Sequence, residues 1–253
     1  MVGLRTPSAF LLLLCSAFAV AQGAAPSEGE LRTAVGKALP FVEARGKAWI
    51  DERGCVSCHQ VPSMLRCMEA SATKGFAVSR PYVEETTEWS VRWEHWTNQG
   101  AKGGKASAEA SNVDTMSALL RMKPGATETG WGRQFRQALL GLQQQEGKDE
   151  ALARLLAVQS KDGGWPWKIG GPSDAFGTGM ALHALSSAGV SPDHPAAAGA
   201  LRFLISTQKP DGSWAVPSTR TKDGGKIKPT ATDWGTAWAV IGLTAFLAEQ
   251  PGR

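Results

Sequence analysis

Gln159-Ser160-Lys161-Asp162-Gly163-Gly164-Trp165 returns later in the chain as Gln208-Lys209-Pro210-Asp211-Gly212-Ser213-Trp214, a Gln-x-x-x-Gly-x-Trp pattern in both copies. Each copy is followed by a loop and then by a stretch of small residues. The first of these begins Asp174-Ala175-Phe176-Gly177-Thr178 and the second Asp233-Trp234-Gly235-Thr236. The register holds downstream, since Thr178 precedes Ala181-Leu182 as Thr236 precedes Ala239-Val240. A unit of this size cannot bury its apolar face alone, so the repeat predicts stacked copies of one motif. That motif reads as a helix ending in Gln, a Gly-rich turn held by Trp, and a returning helix of small residues. Thr115 before Ala118-Leu119 reads as an earlier, degenerate copy.

Upstream, the apolar spacing continues to read as helix. Helices are predicted at about 129 to 145 and 149 to 160, and another over 107 to 122. Pro81 opens a helix in which Trp89, Trp93 and Trp96 form one aromatic stripe, read as core, with His95 beside it. Met64, Leu65, Met68 and Ala72 share a face of a helix from His59 to Thr73 that stops at Lys74-Gly75. Leu31 to Arg53 has helical spacing ended by Gly54, with Pro40 predicting a kink or a break. Small polar residues at 22 to 30 read as a flexible leader.

On these residues the chain resembles the squalene-hopene cyclase and prenyltransferase superfamily, strongly over residues 150 to 250 and faintly from 30 onward. The resemblance implies an all-α fold, an α/α toroid-like array of helical hairpins in which inner helices starting near Thr115, Thr178 and Thr236 line a central cavity. At about 45 to 60 residues per unit the chain holds four or five hairpins, an incomplete or small ring. The cyclases protonate their substrate with an Asp-x-Asp-Asp-Thr cluster. Here the matching run is Asp174-Ala175-Phe176-Gly177-Thr178, with only the first acid, so the resemblance does not extend to terpene cyclisation. The zinc ligands of the protein prenyltransferases have no counterpart either.

A second motif sits in the first hairpin. With Trp49-Ile50 aligned to Phe203-Leu204 and Gly75 to Gly189, the run Gly54-Cys55-Val56-Ser57-Cys58-His59 replaces the Gly-rich Trp loop. Cys-x-x-Cys-His is the attachment run of a c-type haem. Its two thiols reach the two vinyl groups of one porphyrin, and the next residue offers an imidazole to the iron. Cys55, Cys58 and His59 are therefore the candidate cofactor site, with covalent haem as the cofactor and His59 as proximal metal ligand. Other readings use the same sulfurs. A zinc site needs four ligands and finds no second ligand pair. A thioredoxin-like dithiol needs a preceding strand. A disulfide of Cys67 with Cys55 or Cys58 suits an oxidising compartment. Met116, Met122, His95 and His183 are candidates for the sixth ligand. Met64 and Met68 lie too near His59 in sequence, His183 reads as packed, and His194 as solvent-exposed.

Residues 1 to 21 carry Arg5, an apolar run from Phe10 to Val20 and a small-x-small site at Ala19-Val20-Ala21, the pattern of a cleavable signal peptide that includes Cys15. This predicts a periplasmic or secreted protein, and c-type haem is attached in that setting. The domain organisation is thus a signal peptide at 1 to 21, a leader at 22 to 30 and one toroid domain at 31 to 253. More loosely, the chain resembles exported bacterial proteins in which Gly-Cys-Val-Ser-Cys-His, followed by Pro, precedes squalene-cyclase-like repeats.

A net charge of +4 gives no concentrated basic face, which excludes nucleic acid as a partner. No apolar run after the signal is long enough for a membrane span. Two functional readings follow. One is an exported haem protein for electron transfer or redox or ligand sensing, with a redox partner protein. The other is a haem-free toroid with a structural disulfide that binds a lipid or glycan in its central cavity, or acts on it as a lyase or cyclase. Cys67, aligned with Ala181, is expected to be small and buried.

Overall fold

The computed structural model describes residues 23–54, 60–90, 148–168 and 170–249. Seven α-helices lie among them: α1 Glu28–Arg53, α2 Gln60–Thr73, α3 Arg80–Ser90, α4 Lys148–Ala157, α5 Ala175–Ser187, α6 Pro195–Thr207 and α7 Pro229–Thr244. Among the described residues there is no strand, only an isolated bridge between Pro217 and Ile227 in the loop before α7. The fold is all-α and built of helical hairpins of the squalene-cyclase-like α/α toroid kind. The expected signal run 1 to 21, the motif Cys55–His59, the expected helices at 107 to 122 and 129 to 145, and Trp93, His95, Trp96, Thr115, Met116 and Met122 lie outside the described residues.

Each residue of the repeated motif has the same job in both copies. Gln159 Nε2 donates to Gly163 O at 2.7 Å and Gln208 Nε2 to Gly212 O at 3.0 Å, closing the turn from within. Asp162 and Asp211 accept from the backbone two residues on, both at 3.0 Å. The indoles of Trp165 and Trp214 donate to Leu155 O and Leu204 O, carbonyls in the last turn of the outer helix whose other donors, Val158 N and Thr207 Oγ1, are long at 3.4 and 3.5 Å. The same tryptophans donate their backbone N–H to Thr178 Oγ1 and Thr236 Oγ1, which fixes the entry of the inner helix. The repeated letters are thus a hydrogen-bonded corner, and Trp165 and Trp214 are buried in it.

α7 is the hub. It packs most extensively on α5, and also on α2 and α1. Ala239, Val240 and Leu243 are fully enclosed and Trp238 is 7% exposed. Burial of large apolar side chains of this kind contributes about 1.5–3 kcal/mol each. Small residues bring α5 and α7 together backbone to backbone. A Cβ on Gly179 would stand 2.3 Å from Trp238 O, and one on Gly242 2.7 Å from Gly179 O.

α1 begins at Glu28 with a capping box between Ser27 and Glu30, so the helix starts inside the expected leader. The segment before it is also tied down, since the Arg202 guanidinium donates to the carbonyls of Gly23 and Ala24. Of the kink or break expected at Pro40, the break does not occur, and α1 runs continuously to Gly54, which caps it in the left-handed region at φ 60°. Pro40 and Gly36, whose carbonyl loses its partner to the proline ring, both lie on the exposed side, open to solvent.

α1 also carries a second register. Gln159 Nε2 reaches Ala196 O at the start of α6, and Gln208 Nε2 makes the same bond to Ala34 O in α1. This sets Phe41-Val42 opposite Phe203-Leu204, whereas the expected partner Trp49-Ile50 matches only when the two helices are counted back from their ends. α1 therefore projects about two turns, or about 12 Å, beyond its counterpart before it reaches Gly54.

Candidate functional site

The motif Cys55–His59 falls outside the described residues, and its two neighbours do not. Gly54 closes α1 and Gln60 opens α2. Gln60 is 4% exposed, and its side chain is half engaged. Nε2 donates to Asp233 Oδ2 at 2.6 Å, while Oε1 is buried with no hydrogen-bond partner. Asp233 Oδ1 accepts from Arg45 Nε at 3.0 Å, so a chain Arg45–Asp233–Gln60 joins α1, α7 and α2. Burial raises the proton affinity of Asp233 above the usual aspartate range, and the Arg45 guanidinium and the Gln60 amide oppose it.

Above this chain, a cavity of about 550 Å³ opens between the last turns of α1, the loop at 218 to 228 and the start of α7. A volume of that order suits a cofactor or small molecule. Arg45, Arg53, Arg220, Lys222 and Lys228 line it against Glu52 and Asp223, an excess of positive charge, and Trp49 and Trp234 give it aromatic walls. The Arg53 guanidinium lies 5.6 Å from the centre of the Trp49 ring. Asp223 sits well below the usual carboxylate range because Ser218 donates to it and Lys228, Lys222 and Arg220 surround it. Ser218, Thr219 and Arg220 also border a second cavity, of about 300 Å³, beside Trp167 and Asp174.

The acid matched to the first position of the cyclase cluster is committed elsewhere. Asp174 caps α5, accepting from Gly177 N at 2.9 Å and from Trp167 N at 2.7 Å. Burial raises its proton affinity while these bonds pull it down. Both carboxylate oxygens are thus used as acceptors, the arrangement of a structural cap.

Other candidate residues are occupied by packing. His183 Nε2 lies 2.7 Å from Arg66 Nη2, and the Arg66 guanidinium stacks 4.6 Å over Trp238, which meets the His183 ring edge to face. Met64 and Met68 are buried in the core, with Tyr82 OH 3.7 Å from Met64 Sδ. His194 is exposed and caps α6 by accepting from Ala196 N. Cys67 is a free, fully buried thiol, as its alignment with Ala181 predicts, and this counts against the alternative in which it pairs with Cys55 or Cys58. Burial pushes its thiol far above the usual range, so it is unreactive as a nucleophile. Among the described residues no group of three or more His, Cys, Asp or Glu could hold a metal ion.

The repeated Gln, Trp and Thr bonds, the small-residue crossing of α5 and α7 and the capped start of α5 all fall in one region. Residues 136–250 match the squalene-hopene cyclase C-terminal domain. A probable squalene-hopene cyclase of Sinorhizobium fredii (strain NBRC 101917 / NGR234) is 34% identical over 98 residues, 38% of this chain. The aligned part is 15% of that relative's length. The first hairpin, with Cys55–His59, precedes the region matched to the cyclase domain.

Sequence reasoning missed Arg45, Gln60 and Asp233 as a set, because they come from three distant helices. The cavity cations were more accessible, since Arg220, Lys222 and Lys228 crowd a short loop whose only acid is Asp223. Among the described residues no helix is long and apolar enough to cross a membrane.

Proposed function

We propose that this chain is an exported c-type haem protein on a squalene-cyclase-like helical scaffold, serving electron transfer or redox or ligand sensing. In this reading Cys55 and Cys58 hold the porphyrin through thioether bonds and His59 is the proximal ligand. When bound, haem supplies a one-electron couple whose use depends on the sixth ligand.

The observation that carries the reading is the buried, partnerless Oε1 of Gln60, the residue after His59. A histidine that binds metal through one ring nitrogen carries an N–H on the other and usually gives it to a fixed acceptor. Gln60 is such an acceptor, held by Asp233, which Arg45 holds in turn. The residues around the motif also fit the group's size and charge. Arg53, two residues before Cys55, and Trp49 line the cavity of about 550 Å³, whose cations suit carboxylates and whose indoles suit a flat apolar ring.

A second reading, a haem-free toroid that binds a glycan or an apolar molecule, draws on the smaller cavity beside Trp167, an indole 44% exposed. A lyase or cyclase-like activity in that reading would work without the paired acids of the cyclase cluster, since Asp174 is the only acid of its run and both Asp174 and Asp233 accept from donors.

The test is the mass and visible spectrum of the protein exported from a host with c-type haem maturation machinery. One added haem mass and sharp reduced-state bands, both lost in a Cys55→Ala, Cys58→Ala variant, support the proposal. A colourless protein overturns it and leaves the second reading.

A further inference from the structure

The cavity between α1, the loop at 218 to 228 and α7 combines an excess of cations with aromatic surface. Arg53, Arg220, Lys222 and Lys228 make no ion pair among the described residues, although Glu52 and Asp223 are within the same lining. Asp223 is turned to Ser218, which donates to it at 2.5 Å. Arg220, Lys222 and Lys228 share the one carboxylate of Asp223, which leaves the lining with an excess of positive charge, an arrangement that costs repulsion unless an anion arrives. Arg53 stacks on Trp49, and Trp234 stands on the α7 wall of the same cavity.

Chain length restricts what can reach this place. Cys55 is two residues from Arg53, so its Cα lies within about 7 Å of that of Arg53 whatever its conformation. A planar group attached through Cys55 would therefore start close to Arg53, which lines the cavity.

We infer that this cavity is a site for paired carboxylates on a flat apolar body, with Arg220 and Lys228 as the principal anion holders and Arg53 completing the set. Resting on the haem reading, the carboxylates are those of the covalently bound porphyrin. A free molecule of the same chemistry is the other source. Guanidinium is suited to this task because its fork meets a carboxylate with two parallel hydrogen bonds, and the lysine adds a point charge. Trp49 and Trp234 would take the ring faces.

The test uses the Cys55→Ala, Cys58→Ala variant, which cannot hold haem covalently and keeps His59. Zinc protoporphyrin IX and its dimethyl ester are titrated into it, and binding is followed by porphyrin fluorescence and tryptophan quenching. The diacid should bind at least tenfold more tightly than the diester. An added Arg220→Gln, Lys228→Gln pair should abolish the preference, while Lys226→Gln, an exposed cation of the same loop outside the cavity, should leave it intact. Equal affinity for diacid and diester, or a preference unchanged by the Arg220 and Lys228 changes, overturns the inference. The mass of the protein with its cysteines intact separates the two sources. One added haem assigns the carboxylates to the bound porphyrin. A diacid preference with no added haem leaves the anion site standing, assigns it to a free ligand and overturns the haem reading alone.

Discussion

The side-chain amide of Gln208 donates to the carbonyl of Ala34 at 2.9 Å, across 174 positions of sequence, in the same way that Gln159 donates to Ala196 at 2.9 Å one hairpin earlier. The last hairpin grips the first as if it were the next repeat. Gly212 lies against Lys37 of α1 as Gly163 lies against Gly199 of α6, and Gln208, Gly212 and Trp214 together form the joint.

Removing the amide should loosen this joint. Gln208→Ala deletes two hydrogen bonds and leaves Ala34 O and Gly212 O short of a donor, at a cost of about 1–3 kcal/mol. Gln159→Ala should cost a similar amount. Urea unfolding measures both, and a neutral Gln208→Ala would show that the joint between the ends contributes nothing.

The glycines of the two turns should separate by context. Gly212→Ala and Gly163→Ala place a Cβ 2.1 Å from Lys37 O and 2.7 Å from Gly199 O, at φ of 84° and 87°. Each should cost more than about 2 kcal/mol. Gly54→Ala and Gly189→Ala share the positive φ but meet nothing within 4 Å, and should cost about 1 kcal/mol. Equal losses in all four would mean that backbone conformation alone sets the penalty.

The Arg45–Asp233–Gln60 chain should behave as a coupled unit. Arg45→Ala leaves a buried carboxylate with one donor and should cost about 1–3 kcal/mol, kept modest because the Arg45 side chain is 38% exposed and solvent screens the pair. Adding Asp233→Asn removes the stranded charge and should restore part of the loss. A double-mutant cycle reads the coupling, and strictly additive losses would show that the two groups do not interact.

Asp174 gives a pH dependence with a definite sign. Its burial makes the native state hold the carboxyl proton more tightly than the unfolded chain does. The associated stabilisation is complete below the unfolded value of about 3.9 and is lost as pH rises through the folded value. Wild type minus Asp174→Asn, compared by urea unfolding at pH 3 and pH 6.5, should therefore be larger at pH 3. A difference independent of pH would mean that the hydrogen bonds to Trp167 and Gly177 offset burial fully.

The indole donors should be worth their hydrogen bonds beyond packing. Trp214→Phe keeps most of the buried ring and leaves Leu204 O with only the long bond from Thr207 Oγ1, at a cost of about 1 kcal/mol. Trp165→Phe should follow it through Leu155 O. Thermal unfolding of the two variants checks both values.

Much of the fold was legible because the repeat letters are themselves the hydrogen-bonding groups. Gln, Gly, Trp and Thr recur where the corner needs a donor, a left-handed turn, a capping indole and a hydroxyl. Local signals also gave the stop at Gly54 and the hidden small thiol at Cys67. Pro40 does not break the helix, because its cost depends on which side of the helix meets water, and one-dimensional spacing leaves that open. The length of α1 misled the alignment, since counting back from its end hides the two added turns. Of the candidate site, the sequence showed the Cys-x-x-Cys-His run. It could not show that Gln60, Asp233 and Arg45 meet, because that depends on α7 lying between α2 and α5.

The joint between the ends also sets a timetable. α1 and α2 leave the ribosome well before α7, yet much of their buried surface is supplied by residues 229–244 of α7 and the grip on Ala34 by Gln208. Contacts so distant in sequence slow folding and leave the early hairpin unsatisfied until α7 has been made. A nascent chain halted before α7 should therefore leave α1 and α2 protease-sensitive, and their resistance should appear in one step once α7 has emerged.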